Sequence, residues 1–211
     1  MEARVNKIIP FSSVDGPGNR TAIFLQGCNI NCMYCHNPET RDKYGDPKIT
    51  TVTEMSADEV LEQVKKQIPF VRGITVSGGE CMLQPDFLTE LFTKIKVLGL
   101  STMIDTNGTI DFADKQDLLA VTDGVLLDIK AFDSDTHRKI TGAGNETVIA
   151  NARFLASIDS TIIFSARFIY LLTNIPISSN HRKVHRRINL ILCRNNISSN
   201  DSVCFLIRKG I

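Results

Sequence analysis

The 211-residue sequence contains no tryptophan, no hydrophobic run long enough to cross a membrane and no apolar segment of signal-peptide length near its N-terminus. These absences predict a protein without membrane spans or an export signal. Charged residues make up 22% and hydrophobic residues 43%, which excludes disordered, collagen-like and coiled-coil chains. Six cysteines in a chain without an export signal indicate metal ligands rather than disulfides.

The composition changes near residue 158. Residues 1–158 carry 16 basic and 21 acidic side chains, whereas residues 159–211 carry 8 basic and 2 acidic ones and no Glu or Gln. One folded domain rarely changes so abruptly, so we divide the chain into a core at 1–158 and a tail at 159–211. The basic run at 181–187 is too short to predict nucleic-acid binding.

Short apolar runs alternate with helical patterns along the first part of the chain. The predicted strands cover 20–26, 73–77, 100–104 and 124–130. Helices are predicted after Ser56, from Pro85, at 133–140 and at 146–157. Repeated strand–helix units predict an α/β fold with a parallel sheet or barrel.

The strongest chemical signal is a loop with three cysteines, Cys28, Cys32 and Cys35, directly after the first predicted strand. Three thiolates can hold an iron–sulfur cluster and leave one iron open to another ligand. A structural zinc site needs a fourth ligand, which His36 or a distant cysteine could supply. Three unrelated thiols are the remaining alternative.

Polar residues also follow the next three predicted strands, as Gly78-Gly79-Glu80, Asp105-Thr106-Asn107-Gly108 and Asp128 with Lys130. Parallel α/β barrels place their sites at the carboxyl ends of their strands. Glycines allow close approach of a backbone to a ligand, and the oxygen ligands suit a small cation. Taken singly, each motif also fits a plain turn or a solvated strand end.

The spacing of the three cysteines after a first strand resembles the radical S-adenosylmethionine (SAM) superfamily. The segments VDGPGNR, FLQGC and CHNPET resemble the activating enzymes of glycyl-radical enzymes, typified by pyruvate formate-lyase activase. The segments VNKIIPFSSVDGPGNR and IPFVRGITVSGGEC resemble the YjjW-type branch of that family. The resemblance runs from about residue 5 to about residue 157.

This resemblance implies a radical SAM activating oxidoreductase with one 4Fe–4S cluster, held by Cys28, Cys32 and Cys35, and SAM at the open iron. Reductive cleavage of SAM would give a 5′-deoxyadenosyl radical, which abstracts a hydrogen from a glycine of a partner glycyl-radical enzyme. We expect a flavodoxin- or ferredoxin-type electron donor, an anaerobic cytoplasm and a monomer, with no membrane or nucleic-acid partner.

The resemblance also assigns individual roles. It implies SAM contacts from Tyr34, Asn37, Gly78, Gly79 and Glu80. It implies a monovalent cation near the SAM carboxylate, bound by Asp105, Thr106, the Leu126 carbonyl and Asp128. Lys130 would neutralise that carboxylate, and Asp15 would contact the substrate peptide. Cys81 is expected beside the site without binding the cluster, and His137 on a helix surface without a role.

Two features depart from the YjjW-type pattern. The segment after CHNPET lacks the eight further cysteines of a ferredoxin-like insert, so we expect one cluster. After Ile158 the family's Val-Pro-Gly turn and following helix are missing, which suggests a frameshift or a truncated gene, or else a divergent region. Residues 161–172 are apolar enough for a fifth strand, whereas 174–211 are expected to pack poorly.

We therefore expect an incomplete barrel of the radical SAM type, truncated to four or five parallel strands. The same departure motivates an alternative function, a catalytically impaired remnant that binds a cluster or zinc without turnover.

Overall fold

The computed structural model describes residues 1–158 and, beyond them, the backbone of two strands at 163–168 and 188–191. The helices and strands follow one another in this order: β1 (Glu2–Ser12), β2 (Arg20–Leu25), β3 (Thr53–Ser56), α1 (Ala57–Lys65), β4 (Gly73–Gly78), α2 (Pro85–Val97), β5 (Ser101–Thr106), α3 (Gln116–Ala120), β6 (Gly124–Ile129), α4 (Ser134–Thr141), α5 (Glu146–Ser157), β7 (Ile163–Phe168) and β8 (Ile188–Ile191). Among the described residues, no helix is long and apolar enough to span a bilayer.

The strands form one sheet in the order β3-β1-β2-β4-β5-β6-β7-β8. Five of them, β2, β4, β5, β6 and β7, are parallel neighbours, which confirms the predicted α/β fold with four or five parallel strands. The predicted fifth strand is β7. The antiparallel strands β1 and β3 at one edge, and β8 beside β7, were not predicted. Apart from β8, the expectation that 174–211 pack poorly lies outside the described residues.

The parallel strands bury alternate side chains against the helices. On β4 these are Ile74 and Val76, and on β6 they are Val125 and Leu127, all fully buried. They pack in one cluster with the apolar faces of α1, α2, α3 and α5. The intervening side chains lie on the other face of the sheet, and they include Thr75 and Ser77 of β4 and Asp128 of β6.

Arg20 anchors the loop between β1 and β2 to that face of the sheet, where it contacts Thr75. Its side chain is fully buried, and its guanidinium donates to the Ile74 and Ser101 carbonyls, at 2.6 and 3.0 Å, to the Pro17 carbonyl and to two hydroxyl groups. Burial lowers the pKa of Arg20 to about 10, and Asp123 partly offsets that effect, so the group is cationic at neutral pH. The arginine that ends the VDGPGNR motif therefore has a structural role, to anchor this loop.

We predict that Arg20→Lys lowers the free energy of unfolding by about 2–4 kcal/mol. A lysine keeps the charge but cannot reach all these acceptors, and each one left unpaired in the interior costs about 1–3 kcal/mol. Urea unfolding measures the change. The control is Arg72→Lys at an exposed position of the neighbouring loop, with an expected change within about 0.5 kcal/mol. Equal midpoints for the Arg20 variant and the parent protein would contradict this role.

Candidate functional site

A cavity of about 360 Å³ lies at the carboxyl ends of the parallel strands, within the size range of small-molecule sites. Its lining includes these residues singled out from the sequence: Asp15, Cys28, Cys32, Tyr34, Cys35, Asn37, Gly78, Gly79, Asp105, Thr106, Asp128 and Lys130. Of the residues to which the resemblance gave a cluster, SAM, cation or substrate contact, Glu80 and Leu126 do not line it. Residues from five separate segments of the chain thus meet at one place.

Backbone hydrogen bonds hold the cysteine loop in place at two points. The Cys28 amide donates to the Arg41 carbonyl at 3.0 Å. On the opposite side, the Asn31 and Met33 amides donate to the last two carbonyls of α4, those of Thr141 and Ile140, at 2.8 and 2.9 Å. Because a helix leaves its last carbonyls without intrahelical partners, α4 offers a ready attachment point for the loop.

The prediction that His137 lies on a helix surface is wrong. His137, near the same end of α4, is fully buried. Its Nδ1 lies 2.7 Å from the Ala143 carbonyl and 3.1 Å from the Thr141 hydroxyl. Gly142, with φ +84°, turns the chain back so that the Ala143 carbonyl reaches the ring. The helical pattern alone could not reveal this, because the turn after α4 makes the contact.

The cysteine side chains are free thiols, as is that of Cys81. Burial raises the pKa of Cys28, and it raises the pKa of Cys32 to about 11. Binding of a metal centre must therefore displace protons from these thiols. Within the described part of the chain, no three Cys, His, Asp or Glu side chains converge as ligands of a single ion. The donor set, three thiols on one loop around one cavity, fits a cluster that distributes them over three irons.

Tyr34 lies between two of these cysteines and lines the cavity. Its phenol oxygen is buried and has no hydrogen-bond partner among the described residues. Burial raises the pKa of the phenol, so it is a neutral donor at physiological pH. A buried hydroxyl without a partner at a cavity wall is suited to a polar ligand.

Gly78 and Gly79 are required because the backbone at the end of β4 lies very close to the backbone at the end of β2. A Cβ on Gly78 would lie 2.1 Å from the Leu25 carbonyl oxygen, and one on Gly79 would lie 2.2 Å from that of Gly27. The Gly79 and Glu80 amides donate to those same carbonyls, at 3.0 and 2.8 Å. The two glycines thus join the ends of β2 and β4 beneath the cysteine loop, and they line the cavity as well.

Glu80 lies behind the cavity wall and is almost completely buried. Its carboxylate accepts from the Met82 amide at 2.9 Å, the Thr106 hydroxyl at 2.7 Å and the Asn107 amide at 2.7 Å. Burial raises the pKa of Glu80 to about 7, although the donors favour the ionised form. In this structure the carboxylate joins the ends of β4 and β5, a role that its place in the GGE motif did not predict.

The charged wall of the cavity comes from β5 and β6. Lys130 Nζ lies 2.6 Å from Asp128 Oδ2, and both side chains are largely buried. Burial lowers the pKa of Lys130, but the paired carboxylate more than offsets that effect and the net pKa is raised. Ser77 donates to Asp105 Oδ2 at 3.2 Å. Lys130 therefore brings a fixed positive charge to a wall that otherwise carries carboxylates.

Asp15 reaches the cavity from the loop between β1 and β2. Its carboxylate accepts from Ser12 Oγ at 2.5 Å, and its carbonyl accepts from Thr75 Oγ1 at 2.5 Å. Lys7 of β1 also lines the cavity, with its ammonium 5.0 Å from the ring centre of Phe24. Sequence reasoning missed Lys7 because nothing local indicates that β1 pairs antiparallel with β2.

The family model described as the Radical SAM superfamily matches residues 22–179, and the chain belongs to that superfamily. The pyruvate formate-lyase-activating enzyme of Streptococcus mutans is 42% identical over 167 residues, which cover 75% of this chain and 62% of that relative. The pyruvate formate-lyase 1-activating enzyme of Escherichia coli is 34% identical over 160 residues, covering 73% and 63%. These relatives confirm the predicted resemblance to such activases. The chain spans less than two-thirds of their length.

The solved structure of SuiB from Streptococcus suis supports the fold. It superposes with a TM-score of 0.50 at 17% identity, over 66% of this chain and 30% of that one. Membership of the superfamily implies a 4Fe–4S cluster and SAM, and the thiol set and the neighbouring cavity fit both.

Proposed function

We propose that this chain is a radical SAM activase for a glycyl-radical enzyme, as the names of its relatives suggest. The observation that carries the proposal is the convergence of the three cysteine thiols, the Lys130–Asp128 pair and Asp15 on one cavity. When bound, the cluster would supply the electron that cleaves SAM, and the protein positions the reactants and excludes water.

Within this proposal, Cys28, Cys32 and Cys35 hold the cluster. Lys130 holds the SAM carboxylate as a point charge, and Tyr34 and Asn37 face the rest of the molecule. Gly78 and Gly79 present backbone at the cavity wall. Glu80 acts indirectly, because its carboxylate holds the Thr106 hydroxyl in position.

Two further assignments belong to the proposal. A monovalent cation would sit between Asp105, Thr106, Asp128 and the Leu126 carbonyl, and it is supported by the register that pairs Asp105 with Leu126 on neighbouring strands. Asp15, on the loop between β1 and β2, would contact the substrate peptide. The expected electron donor is of flavodoxin or ferredoxin type, and the expected setting is an anaerobic cytoplasm with the chain as a monomer.

We also propose the division into a core at 1–158 and a tail at 159–211. The change of composition at the boundary supports this division. Two observations cross the boundary: the family match extends to residue 179, and β7 of the tail pairs with β6 of the core. Reading the DNA downstream of codon 158 in all three frames tests the origin of the tail.

The test of function is formation of 5′-deoxyadenosine by the anaerobically reconstituted chain with SAM and dithionite. The matched control is a Cys28→Ala, Cys32→Ala, Cys35→Ala triple variant, which should form none. A chain that holds a cluster but produces no more 5′-deoxyadenosine than this control would instead be the impaired remnant. A version with a family-type C-terminal region shows whether turnover depends on the tail.

We predict that Lys130→Ala weakens SAM binding by about 1–3 kcal/mol, because it removes a charge-assisted contact. Anaerobic equilibrium titration of the reconstituted protein measures the affinity. The control is Lys94→Ala, since Lys94 pairs with Asp58 and Glu90 on the helical surface. Unchanged affinity of the Lys130 variant would remove this lysine from the SAM site.

A further inference from the structure

Asn107 directly follows β5 and points its side chain at the cysteine loop. Its Nδ2 lies 3.8 Å from Cys28 Sγ and 3.1 Å from Asn29 Oδ1. Asn107 as a whole residue is only 6% exposed. Within the motif DTNG, the family resemblance assigned Asp105 and Thr106 as cation ligands and gave Asn107 no role.

The orientation of the Asn107 amide is determined by its neighbours. The Thr109 amide donates to Asn107 Oδ1 at 2.9 Å, and the Thr109 hydroxyl lies 2.6 Å from the same oxygen. A backbone N–H can only donate, so this side of the amide must be the oxygen. The NH₂ group therefore faces Cys28, and the contact with sulfur is an N–H donor to a thiol.

The position of Asn107 is equally constrained. Its backbone amide donates to the buried carboxylate of Glu80, and the Thr106 hydroxyl donates to the same carboxylate. The Glu80 amide in turn bonds to Gly27, the residue before Cys28. One buried network thus holds both the donor and the cysteine that receives its hydrogen bond.

We propose that Asn107 is a positioning residue that raises the reduction potential of a cluster bound through Cys28. An N–H donor to a ligating sulfur stabilises the extra negative charge of the reduced state, and such bonds are among the determinants of cluster potentials. The inference rests on the proposed function, because it requires a cluster at these three cysteines.

The test compares the midpoint potential of the reconstituted protein with that of Asn107→Leu and Asn107→Ser, in an anaerobic redox titration followed by electron paramagnetic resonance. Neither side chain can donate to Cys28 from this distance. At a fixed potential we expect the ratio of reduced to oxidised cluster to fall about tenfold, equivalent to a midpoint about 59 mV lower for one electron. Iron content should equal that of the parent protein.

The matched control is Asn29→Leu, which removes the second acceptor of the Asn107 NH₂ group and keeps the Asn107 donor to Cys28. We expect its midpoint to stay close to that of the parent protein. An unchanged midpoint in both iron-loaded Asn107 variants would overturn the proposal. It would also be overturned if both lost iron while Asn29→Leu retained it, because Asn107 would then serve assembly. A parent protein that binds no cluster would overturn the proposed function first.

Discussion

Replacing Cys28, Cys32 or Cys35 with alanine is expected to reduce the iron content from about four atoms per chain to nearly none. The three thiols are the cysteine ligands that the cavity offers, and two thiolates cannot retain the cluster. Iron analysis and visible absorption after anaerobic reconstitution measure the effect. Circular dichroism should be unchanged, since the loop is anchored through its backbone amides to Arg41 and to α4.

Cys81→Ala is the matched control, because Cys81 is a fourth free thiol nearby. Its side chain is fully buried, and Sγ lies 3.4 Å from the Asp105 carbonyl oxygen. Its burial raises the pKa well above the usual value, as expected for a thiol that packs against β5 and binds no metal. Iron content should be retained in this variant. Loss of iron on Cys81→Ala, or zinc in place of iron in the parent protein, would refute the cluster assignment.

The Cys193 and Cys204 variants provide a second comparison. Both residues lie outside the described part of the chain. The assignment predicts that alanine at either position leaves iron content intact. About eight further irons per chain in the parent protein would show additional clusters and contradict the single-cluster prediction.

Gly78→Ala is expected to prevent folding or to cost more than about 4 kcal/mol of stability. The new Cβ would lie 2.1 Å from the Leu25 carbonyl oxygen and 2.3 Å from the Leu25 nitrogen, so β2 and β4 would have to separate. Clashes with backbone cannot be relieved by a change of rotamer, and the φ of +120° at this position adds strain. Soluble yield and urea unfolding measure the loss.

Gly99→Ala separates the effect of the clash from that of backbone conformation. Gly99 also has a positive φ, +69°, but a Cβ there would have no atom within 4 Å. We expect a cost of about 1–2 kcal/mol, from the left-handed backbone alone. Similar losses in the two variants would mean that the sheet accommodates a side chain at position 78, contrary to the close approach described above.

The prediction of the parallel strands and of the long helices succeeded because it used local signals. Ser56 and Glu59 form the expected capping box, with the Glu59 amide 3.2 Å from Ser56 Oγ. Pro85 begins α2 as expected. The strands β1 and β3 and the short helix α3 were missed, because the edge strands are half-exposed and α3 has only five residues.

The sequence by itself determined that the motifs at the ends of β2, β4, β5 and β6 meet at one cavity, since the carboxyl ends of successive parallel strands must lie along the same edge of the sheet. The tertiary structure decided what each of these residues contacts. Glu80 turns inward to the β5 loop, Asn107 directs its amide at Cys28, and His137 is enclosed by the turn after α4. Each contact depends on the register and turn geometry of segments brought together by folding. Hydrophobic periodicity and motif spacing carry no information about those distances, so only the folded chain could reveal them.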